Sequence, residues 1–322
     1  MGEPVSIADT QDQRSLAVHD VDELNHAVSG SNLELIQLKP GRLEATVNHL
    51  LLDDVFVDNG SVNLGLRVRG GLDPKRFTVG MFHSGTRATW NGNQIDASHM
   101  LFFMPDRELS GFFSAAYGWT SLVIPPAWVE SIALSLVRPD LLQLRADCRL
   151  IRPDPLKHVE LRQAAAAIVI PAPGLDHADD RSVWLTTDLR NALGGAMSAI
   201  DVPRYGIPFR AIAHFNMARR AERHMRERIA EPLHIDELCI LLRISRRYLE
   251  YAFIDAFGTS PSRYLRLLRL HEVRRRLKAL GEQTTVTREA LNLGFNHLGL
   301  FSVQYKKTFG ESPSTTQAAV CS

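Results

Sequence analysis

The spacing of hydrophobic and polar positions changes near residue 125 of this 322-residue chain. From Leu33 to Pro125, short runs rich in β-branched and aromatic residues are separated by turn sequences such as Asp-Asn-Gly at 58–60 and Asn-Gly-Asn at 91–93. Such runs are typical of strands, and such turns of hairpins. After residue 126 the apolar residues recur every three or four positions, which indicates helices. The pattern predicts an α+β, two-domain chain that begins with a small antiparallel β-barrel or sandwich, of which the barrel is preferred, followed by helices.

One pattern occurs twice in the last hundred residues. Residues 234–261 and 285–313 each contain a short apolar helix, a tight turn, a second helix and then Phe-Gly-x-Ser-Pro. In the first copy Ser245 is expected to cap a helix that ends at Phe257, with Leu249 and Phe253 facing inward. A helix of this width fits the major groove of DNA. The C-terminal part is therefore predicted to be an all-α, double helix-turn-helix domain that binds DNA.

Charge is divided in the same way. Residues 204–322 carry 20 Lys and Arg against 11 Asp and Glu, a balance of +9, whereas residues 1–203 carry 17 against 25, a balance of −8. A basic half joined to an acidic half is typical of a nucleic-acid-binding domain attached to a different module. A solvated basic face would give the same count, but the basic half is also the half that contains the repeated motif.

These residues resemble the AraC/XylS family of transcriptional regulators over about residues 220–317. The matching pattern consists of Ser245-x-Arg247-x-Leu249-x-x-x-Phe253, Gly258-x-Ser260-Pro261-x-x-Tyr264-Leu265, Gly294-Phe295 and Phe301-x-x-x-Tyr305-x-x-x-Phe309-Gly310-x-x-Pro313. The resemblance implies seven helices, with two recognition helices joined by a long helix from Pro261 to Leu280. It also implies promoter DNA and RNA polymerase as partners. It further implies a cupin-like N-terminal domain that binds a small effector or a second copy of the chain.

The family pattern also indicates which side chains contact DNA. The first recognition helix is expected to present Arg246, Arg247, Tyr248, Glu250 and Tyr251. The second is expected to present Leu298, Gly299, Leu300, Ser302 and Val303, with phosphate contacts from Lys306 and Lys307. Arginine can bridge guanine O6 and N7, and glutamate can accept from cytosine N4. Tyr251 and Leu300 depart from the family, which often has a basic residue at both positions. The second helix is therefore expected to recognise thymine methyl groups and shape, and His297 either contacts phosphate or caps that helix.

The N-terminal part offers one candidate effector site. Arg67 and Arg69 alternate with apolar residues, so both point to one face of a strand. If that face lines the barrel, the two guanidinium groups need an anionic partner, such as a carboxylate, a phosphate or a cyclic dinucleotide. If it does not, they face solvent or pair with Asp53 or Asp54. The candidate effector site comprises Arg67, Arg69, Lys75, Arg76 and Trp90.

The expected layout has a loosely ordered segment over 1–31, an effector-binding and dimerisation domain over 32–200, a linker over 201–218 and the DNA-binding domain over 219–318. An apolar stripe in the helix around Val183–Ile200 is either core or the interface of a homodimer. Its members are Trp184, Leu185, Leu189, Leu193 and Met197.

Other classes of protein find less support. The three cysteines are far apart and no His-x-His pair occurs, so neither a metal site nor a cofactor is expected. The N-terminus lacks the features of a signal peptide, and no apolar run approaches the roughly 20 residues of a membrane span, so a cytoplasmic protein is expected. A bifunctional DNA-repair enzyme would need an activated cysteine, but Cys148 has no adjacent histidine. An effector-independent regulator, whose barrel is only a dimerisation scaffold, remains the alternative.

Overall fold

The computed structural model describes residues 14–28, 30–106, 108–139, 141, 148–169, 178–198 and 209–319. Within these ranges the N-terminal part contains twelve strands and four α-helices, and residues 209–319 contain seven further α-helices. The strands are β1 (Arg14–Val18), β2 (Ser31–Gln37), β3 (Ala45–Leu52), β4 (Val55–Val62), β5 (Leu66–Leu72), β6 (Phe77–Phe82), β7 (Arg87–Trp90), β8 (Asn93–Asp96), β9 (Met100–Phe103), β10 (Glu108–Phe113), β11 (Tyr117–Ile124) and β12 (Cys148–Ile151).

The strands form two antiparallel sheets that face each other. The large sheet has the order β1-β3-β4-β11-β6-β9-β12, and the small sheet has the order β2-β5-β10-β7-β8. Alternate residues of both sheets meet in one apolar cluster that includes Leu35, Val68, Phe103 and Phe113. The predicted antiparallel β architecture is confirmed, but the sheets do not close into a barrel. Strand patterns alone cannot show closure, because it depends on whether the edge strands pair.

One predicted turn lies inside a strand. The Asp-Asn-Gly sequence at 58–60 belongs to β4, whereas Asn-Gly-Asn at 91–93 connects β7 to β8 as expected. A Cβ atom at Gly60 would lie 2.4 Å from the ring of Trp119. The glycine is therefore required for the packing of an aromatic ring from the neighbouring strand rather than for a turn.

Helices cover the outer face of the large sheet. They are α2 (Pro126–Ser135), α3 (Pro155–Val169) and α4 (Ala178–Ser198). Four members of the apolar stripe in α4, namely Leu185, Leu189, Leu193 and Met197, are buried in this domain's own core. The fifth, Trp184, is 61% exposed. Because these four side chains are covered within the domain, they are core, and they cannot also form a dimer interface.

The ends of the N-terminal domain differ from the expected layout. Residues 14–27, expected to be loosely ordered, form β1 and helix α1 (Val21–Ala27). Asp20 caps α1 by accepting from Asp22 N at 2.7 Å, and Val21, Leu24 and Ala27 are buried. The apolar spacing and the cap explain why this short segment is helical. Residues 209–218, expected in the linker, belong to α5, whereas residues 1–13 and 201–208 lie outside the described residues.

The C-terminal domain has the expected seven helices. They are α5 (Phe209–Glu227), α6 (Ile235–Leu242), α7 (Arg246–Phe257), α8 (Pro261–Leu280), α9 (Val286–Asn292), α10 (Leu298–Phe309) and α11 (Pro313–Ala318). Ser245 caps α7 by accepting from Tyr248 N, and Gly258 ends it with φ +65°. Both features agree with the predicted recognition helix.

The small sheet lies between the N-terminal core and the C-terminal domain. Leu33, Leu35 and Val68 face the large sheet, whereas Ile36 packs into the same apolar cluster as Leu249 and Phe253. The outer face of the small sheet and the C-terminal domain therefore share one apolar cluster, which is distinct from the core between the sheets.

Contacts from the N-terminal domain reach both halves of the C-terminal domain. The Gln37 side chain donates to the Thr308 carbonyl at the end of α10, and the Gln37 backbone N–H donates to His271 Nε2 at 3.0 Å. Burial lowers the pKa of His271 to about 3, so this ring is a neutral acceptor. Asp20 forms an ion pair with Arg274 of α8 at 2.5 Å and also contacts Lys278. The N-terminal domain thus contacts the helix that joins the two helix-turn-helix units.

Among the described residues, no helix is both long enough and apolar enough to cross a membrane. The same residues contain no cluster of three or more His, Cys, Asp or Glu side chains that could hold a metal ion.

Candidate nucleic-acid interface

Helix α7 exposes one polar face. Leu249, Ala252 and Phe253 are buried against α5 and α8, which leaves Arg247 and Tyr251 on the opposite side. The Arg247 Nη2 donates to the Tyr251 hydroxyl at 3.1 Å, and its guanidinium lies 5.6 Å from the ring centroid. Tyr251 stands where the family often has a basic residue. Its hydroxyl and ring contact the Arg247 guanidinium and orient it, so Tyr251 supports a basic contact instead of supplying one.

The other expected residues of α7 have different surroundings. Arg246 is exposed and forms a surface ion pair with Asp236 at 3.1 Å. The ring of Tyr248 packs edge-on against His214 of α5, with 5.0 Å between centroids. Glu250 is half-buried. Arg246 therefore remains accessible to DNA, whereas Tyr248 mainly supports the packing of α7 on α5.

Helix α10 presents an apolar face. Leu300 and Val303 are 57% and 65% exposed, and Gly299 and Ser302 lie on the same surface. Leu298 is half-buried against the domain core. His297 occupies the N-cap position, but its side chain makes no capping hydrogen bond. Lys306 and Lys307 follow in the last turn, so the basic groups of α10 lie at the end of its apolar surface.

Basic residues of α8 extend this surface, and the sequence comparison with the family overlooked them. One groove is lined by Arg263 and Arg266 of α8, Lys307 of α10 and Lys39 from the N-terminal domain, with no acidic residue in its lining. Arg266 also lines a neighbouring cleft with His297 and Leu300. The three-residue spacing of Arg263, Arg266 and Arg269 in α8 is the sequence signal that could have identified this basic face. Only the fold shows that Lys39 joins them.

Much of the other positive charge does not face a ligand. Arg219 pairs with Glu108 at 3.1 Å, Arg226 with Glu34, and Arg274 with Asp20 and Glu311. These contacts turn basic side chains of α5 and α8 towards carboxylates, most of them in the N-terminal domain. The balance of +9 therefore overstates the charge available to attract DNA.

The candidate effector residues are not brought together. Arg67 and Arg69 lie on the outer face of the small sheet, and Trp90 lies on its inner face. Lys75 is exposed in the β5–β6 turn, and Arg76 beside it contacts the Asp54 carbonyl. The alternation in β5 was predicted correctly, but the face with the two arginines packs on α5 instead of lining the space between the sheets. A period of two residues cannot show which face is inward.

The anionic partner of Arg67 belongs to the chain itself. Arg67 is 1% exposed, and its Nη2 donates to Glu222 Oε2 of α5 at 3.0 Å. Arg69 lies 3.4 Å from Glu34 and 3.8 Å from Glu222, so neither arginine pairs with Asp53 or Asp54. Burial, which alone would raise the pKa of Glu222, is outweighed by Arg67, Arg226 and the Tyr264 hydroxyl, which lower this pKa to about 2.

Comparison with known proteins locates the similarity in the C-terminal part. A family model described as "Helix-turn-helix domain" matches residues 238–319. The "XylDLEGF operon transcriptional activator 2" of Pseudomonas putida is 36% identical over 101 residues, which are 30% of this chain and 62% of that protein. The "Probable thc operon regulatory protein" of Rhodococcus erythropolis is 33% identical over 99 residues, which are 30% of each chain. The match thus spans less than two thirds of either curated relative.

One solved structure is similar to part of this chain. "The crystal structure of a probable AraC family transcriptional regulator from Rhodopseudomonas palustris CGA009" is 34% identical. The similar region covers 33% of this chain and 97% of that chain, with a TM-score of 0.31.

Proposed function

We propose that the chain is a sequence-specific DNA-binding transcriptional regulator. The basis is its C-terminal domain, which belongs to the AraC/XylS family of helix-turn-helix regulators. The observation that carries the proposal is the exposure of both recognition helices on a surface that the N-terminal domain leaves uncovered. The curated relatives are regulators, and an activator of transcription is the role we infer. No catalytic role is proposed.

The two recognition helices are proposed to read different features of DNA. Arg247, held by Tyr251, is suited to a bidentate contact with guanine, with Arg246 and Glu250 beside it. Leu300 and Val303 are suited to contact with thymine methyl groups. Lys306, Lys307 and Arg266 would contact phosphates, which position the protein without specifying sequence. The first half-site should therefore tolerate fewer base changes than the second.

The N-terminal domain is proposed to regulate DNA binding. It contacts α5, α8 and α10 through Arg67, Asp20 and Gln37, so a change in its structure would alter how the two helix-turn-helix units are held. A small molecule bound in this domain is the proposed signal. A carboxylate or cyclic dinucleotide at Arg67 would have to displace Glu222, so the ligand-free contacts do not favour an anion there. An effector-independent dimerisation scaffold is the alternative.

We further propose a cytoplasmic homodimer that acts with RNA polymerase at a promoter. The exposed apolar residues Val183 and Trp184 of α4 are available for a contact between two copies. Sedimentation of the wild type and of Trp184→Glu would test this: loss of a dimer in the variant supports the contact, and an unchanged dimer excludes it.

The DNA proposal is tested by selecting operators from random duplexes with the full-length chain and footprinting the product. Two protected major-groove segments on one face of the duplex are expected. Arg247→Ala should weaken specific binding by about 1–3 kcal/mol and relax the sequence preference at one position. Arg87→Ala is the matched control, because Arg87 is an exposed arginine of β7 distant in sequence from the motif. Recovery of no preferred sequence would refute the proposal.

A further inference from the structure

The space between the two sheets contains a cavity of about 100 Å³. Its walls are the inward residues of both sheets, including Leu35 and Val68 from the small sheet and Phe103 and Trp119 from the large sheet. Leu24 of α1 covers part of it. An engineered apolar cavity of roughly 150 Å³ holds benzene. The volume here is about two thirds of that, so a single ring would fit only with a small outward movement of the walls.

A glycine contributes to the space. Gly80 lies on the inner face of β6, between Ser121 of β11 and Leu101 of β9 in the register of the sheet. A Cβ atom at this position would lie 3.7 Å from Leu101 Cβ, which is ordinary van der Waals contact. No close contact therefore demands glycine here, and a side chain at residue 80 would occupy the cavity.

Three polar groups of the cavity lining lack partners. Thr78 Oγ1, Ser121 Oγ and Trp90 Nε1 are buried and make no hydrogen bond among the described residues. The three residues are 6%, 9% and 7% exposed. Leaving such a group unpaired costs roughly 1–3 kcal/mol, and buried polar groups are normally satisfied. Two hydroxyls and one indole N–H around one apolar cavity are therefore suited to a ligand that carries an oxygen atom.

The cavity has no charged side chain in its lining. Asp58 is fully buried directly opposite Ser121 on the neighbouring strand, where it contacts His49 at 2.7 Å. Asp58 is therefore already paired within the protein, and it supplies no positive charge to an anionic ligand. Burial also raises the pKa of the Tyr117 hydroxyl in the lining, so that group stays neutral.

We propose that this cavity binds a compact neutral molecule, one aromatic ring or an apolar group of that size bearing a single hydroxyl or carbonyl. The oxygen would take a hydrogen bond from the hydroxyl of Thr78 or Ser121 or from the indole N–H of Trp90, and the ring would contact the apolar walls. The assignment of this ligand as the effector rests on the proposed function. The assignment of the cavity itself rests on the geometry alone.

Two connections link the cavity to the DNA-binding domain. Helix α1 places Leu24 against the cavity, while its capping residue Asp20 is paired with Arg274 and Lys278 of α8. The small sheet places Val68 against the cavity, while the preceding residue of β5, Arg67, contacts Glu222 of α5. A ligand that moves α1 or the small sheet by a fraction of an ångström therefore also moves Asp20 or Arg67, which contact the C-terminal domain.

The test is calorimetric titration of the full-length protein with phenol, benzyl alcohol and indole. Tryptophan fluorescence, to which Trp90 and Trp119 contribute, is recorded as a second readout. Benzoate and benzylamine are the charged controls. At least one neutral compound should bind, and benzoate should bind at least about a hundredfold more weakly than benzyl alcohol, because the lining would leave its charge unpaired. No binding by any neutral compound, or equal binding of benzoate, would overturn the proposal.

Matched variants locate the site. Thr78→Val removes one unpaired hydroxyl while keeping shape, so it should leave the unfolding midpoint unchanged or higher and weaken binding about five- to tenfold. Thr86→Val removes a buried, unpaired hydroxyl outside the lining and should leave binding unchanged. Gly80→Ala should remain folded and also weaken binding. Wild-type affinity in both Thr78→Val and Gly80→Ala contradicts the site.

Operator binding separates this inference from the proposed function. A chain that selects an operator but binds none of the neutral compounds overturns the cavity proposal and leaves the regulator intact. Ligand binding with no selected operator overturns the proposed function and retains the cavity. If both occur, the compound must change operator affinity by the same factor as DNA changes compound affinity. An unchanged affinity overturns the effector assignment.

Discussion

The substitution Glu222→Gln is expected to destabilise the protein strongly although it changes one atom. Glu222 is 3% exposed and lies between Arg67 and Arg226, with a hydrogen bond from the Tyr264 hydroxyl. The amide keeps the size of the side chain but removes the charge that compensates Arg67, itself 1% exposed. Breaking a buried pair by removing one partner typically costs about 3–5 kcal/mol, because the remaining charge is left uncompensated.

The pKa of Glu222 gives a second, independent magnitude. Its decrease from 4.5 to about 2 corresponds to about 3 kcal/mol of preference for the ionised form in the folded state. Because the folded-state pKa is the lower one, this stabilisation is present above pH 4.5 and is lost as the pH falls towards 2. Against a typical total of about 5–15 kcal/mol, the loss is large.

The measurement is urea unfolding at pH 7, comparing midpoints at an unchanged slope. Glu227→Gln is the matched control, because Glu227 lies on the same helix, is 56% exposed and pairs with His224 at the surface. It should change the stability by less than about 0.5 kcal/mol. Replacing both partners, in Arg67→Met with Glu222→Leu, should recover part of the loss. A Glu222→Gln protein within about 0.5 kcal/mol of the wild type would refute the argument that this pair holds the domains together.

Three further predictions concern the same framework. Asp20→Asn keeps the cap of α1 but removes the charge that faces two basic residues of α8. Thermal unfolding should therefore show a decrease of about 2–3 kcal/mol in the free energy of unfolding. The difference from the wild type should disappear at acidic pH, where the wild-type carboxylate is protonated. Gly258→Ala should lower the free energy of unfolding in urea by at least about 2 kcal/mol, because φ is +65° and the new Cβ would overlap the ring of Phe112. Gly299→Ala, with open space around it, should be neutral or stabilising. Equal effects of the two substitutions would exclude this explanation. Lys306→Ala should weaken binding to all duplexes alike and reduce the slope of log affinity against log salt by about one, measured by fluorescence anisotropy; altered base preference would instead indicate direct readout.

The C-terminal domain was largely predictable because its signals are local. The bounds of α7 follow from Ser245 at its start and Gly258 at its end, and its inward face follows from the four-residue spacing of Leu249 and Phe253. Caps and helical periodicity act within a few residues, so they can be read without knowledge of the rest of the chain. The α+β character and the change from strands to helices follow in the same way.

The positions of the arginines in β5 show where local signals end. The alternation of Arg67 and Arg69 with apolar residues correctly predicted that both share a strand face, but the direction of that face depends on what packs on either side of the sheet. Here Glu222 of α5, 155 residues away, supplies the partner. Both faces of the small sheet are buried, one against the large sheet and one against the C-terminal domain. The alternation of residues along a strand therefore cannot show which face belongs to the core between the sheets.

Local patterns in the sequence predict the type of most elements and the exposed faces of α7 and α10, because caps, periodicity and turn chemistry act over a few residues. The folded structure is needed to show that the strands form two open sheets, that Asp20 and Arg67 contact the C-terminal domain, and that Thr78, Ser121 and Trp90 line one cavity. These features depend on contacts between residues distant along the chain. No local pattern specifies which distant side chain will satisfy a buried charge or leave a hydroxyl unpaired.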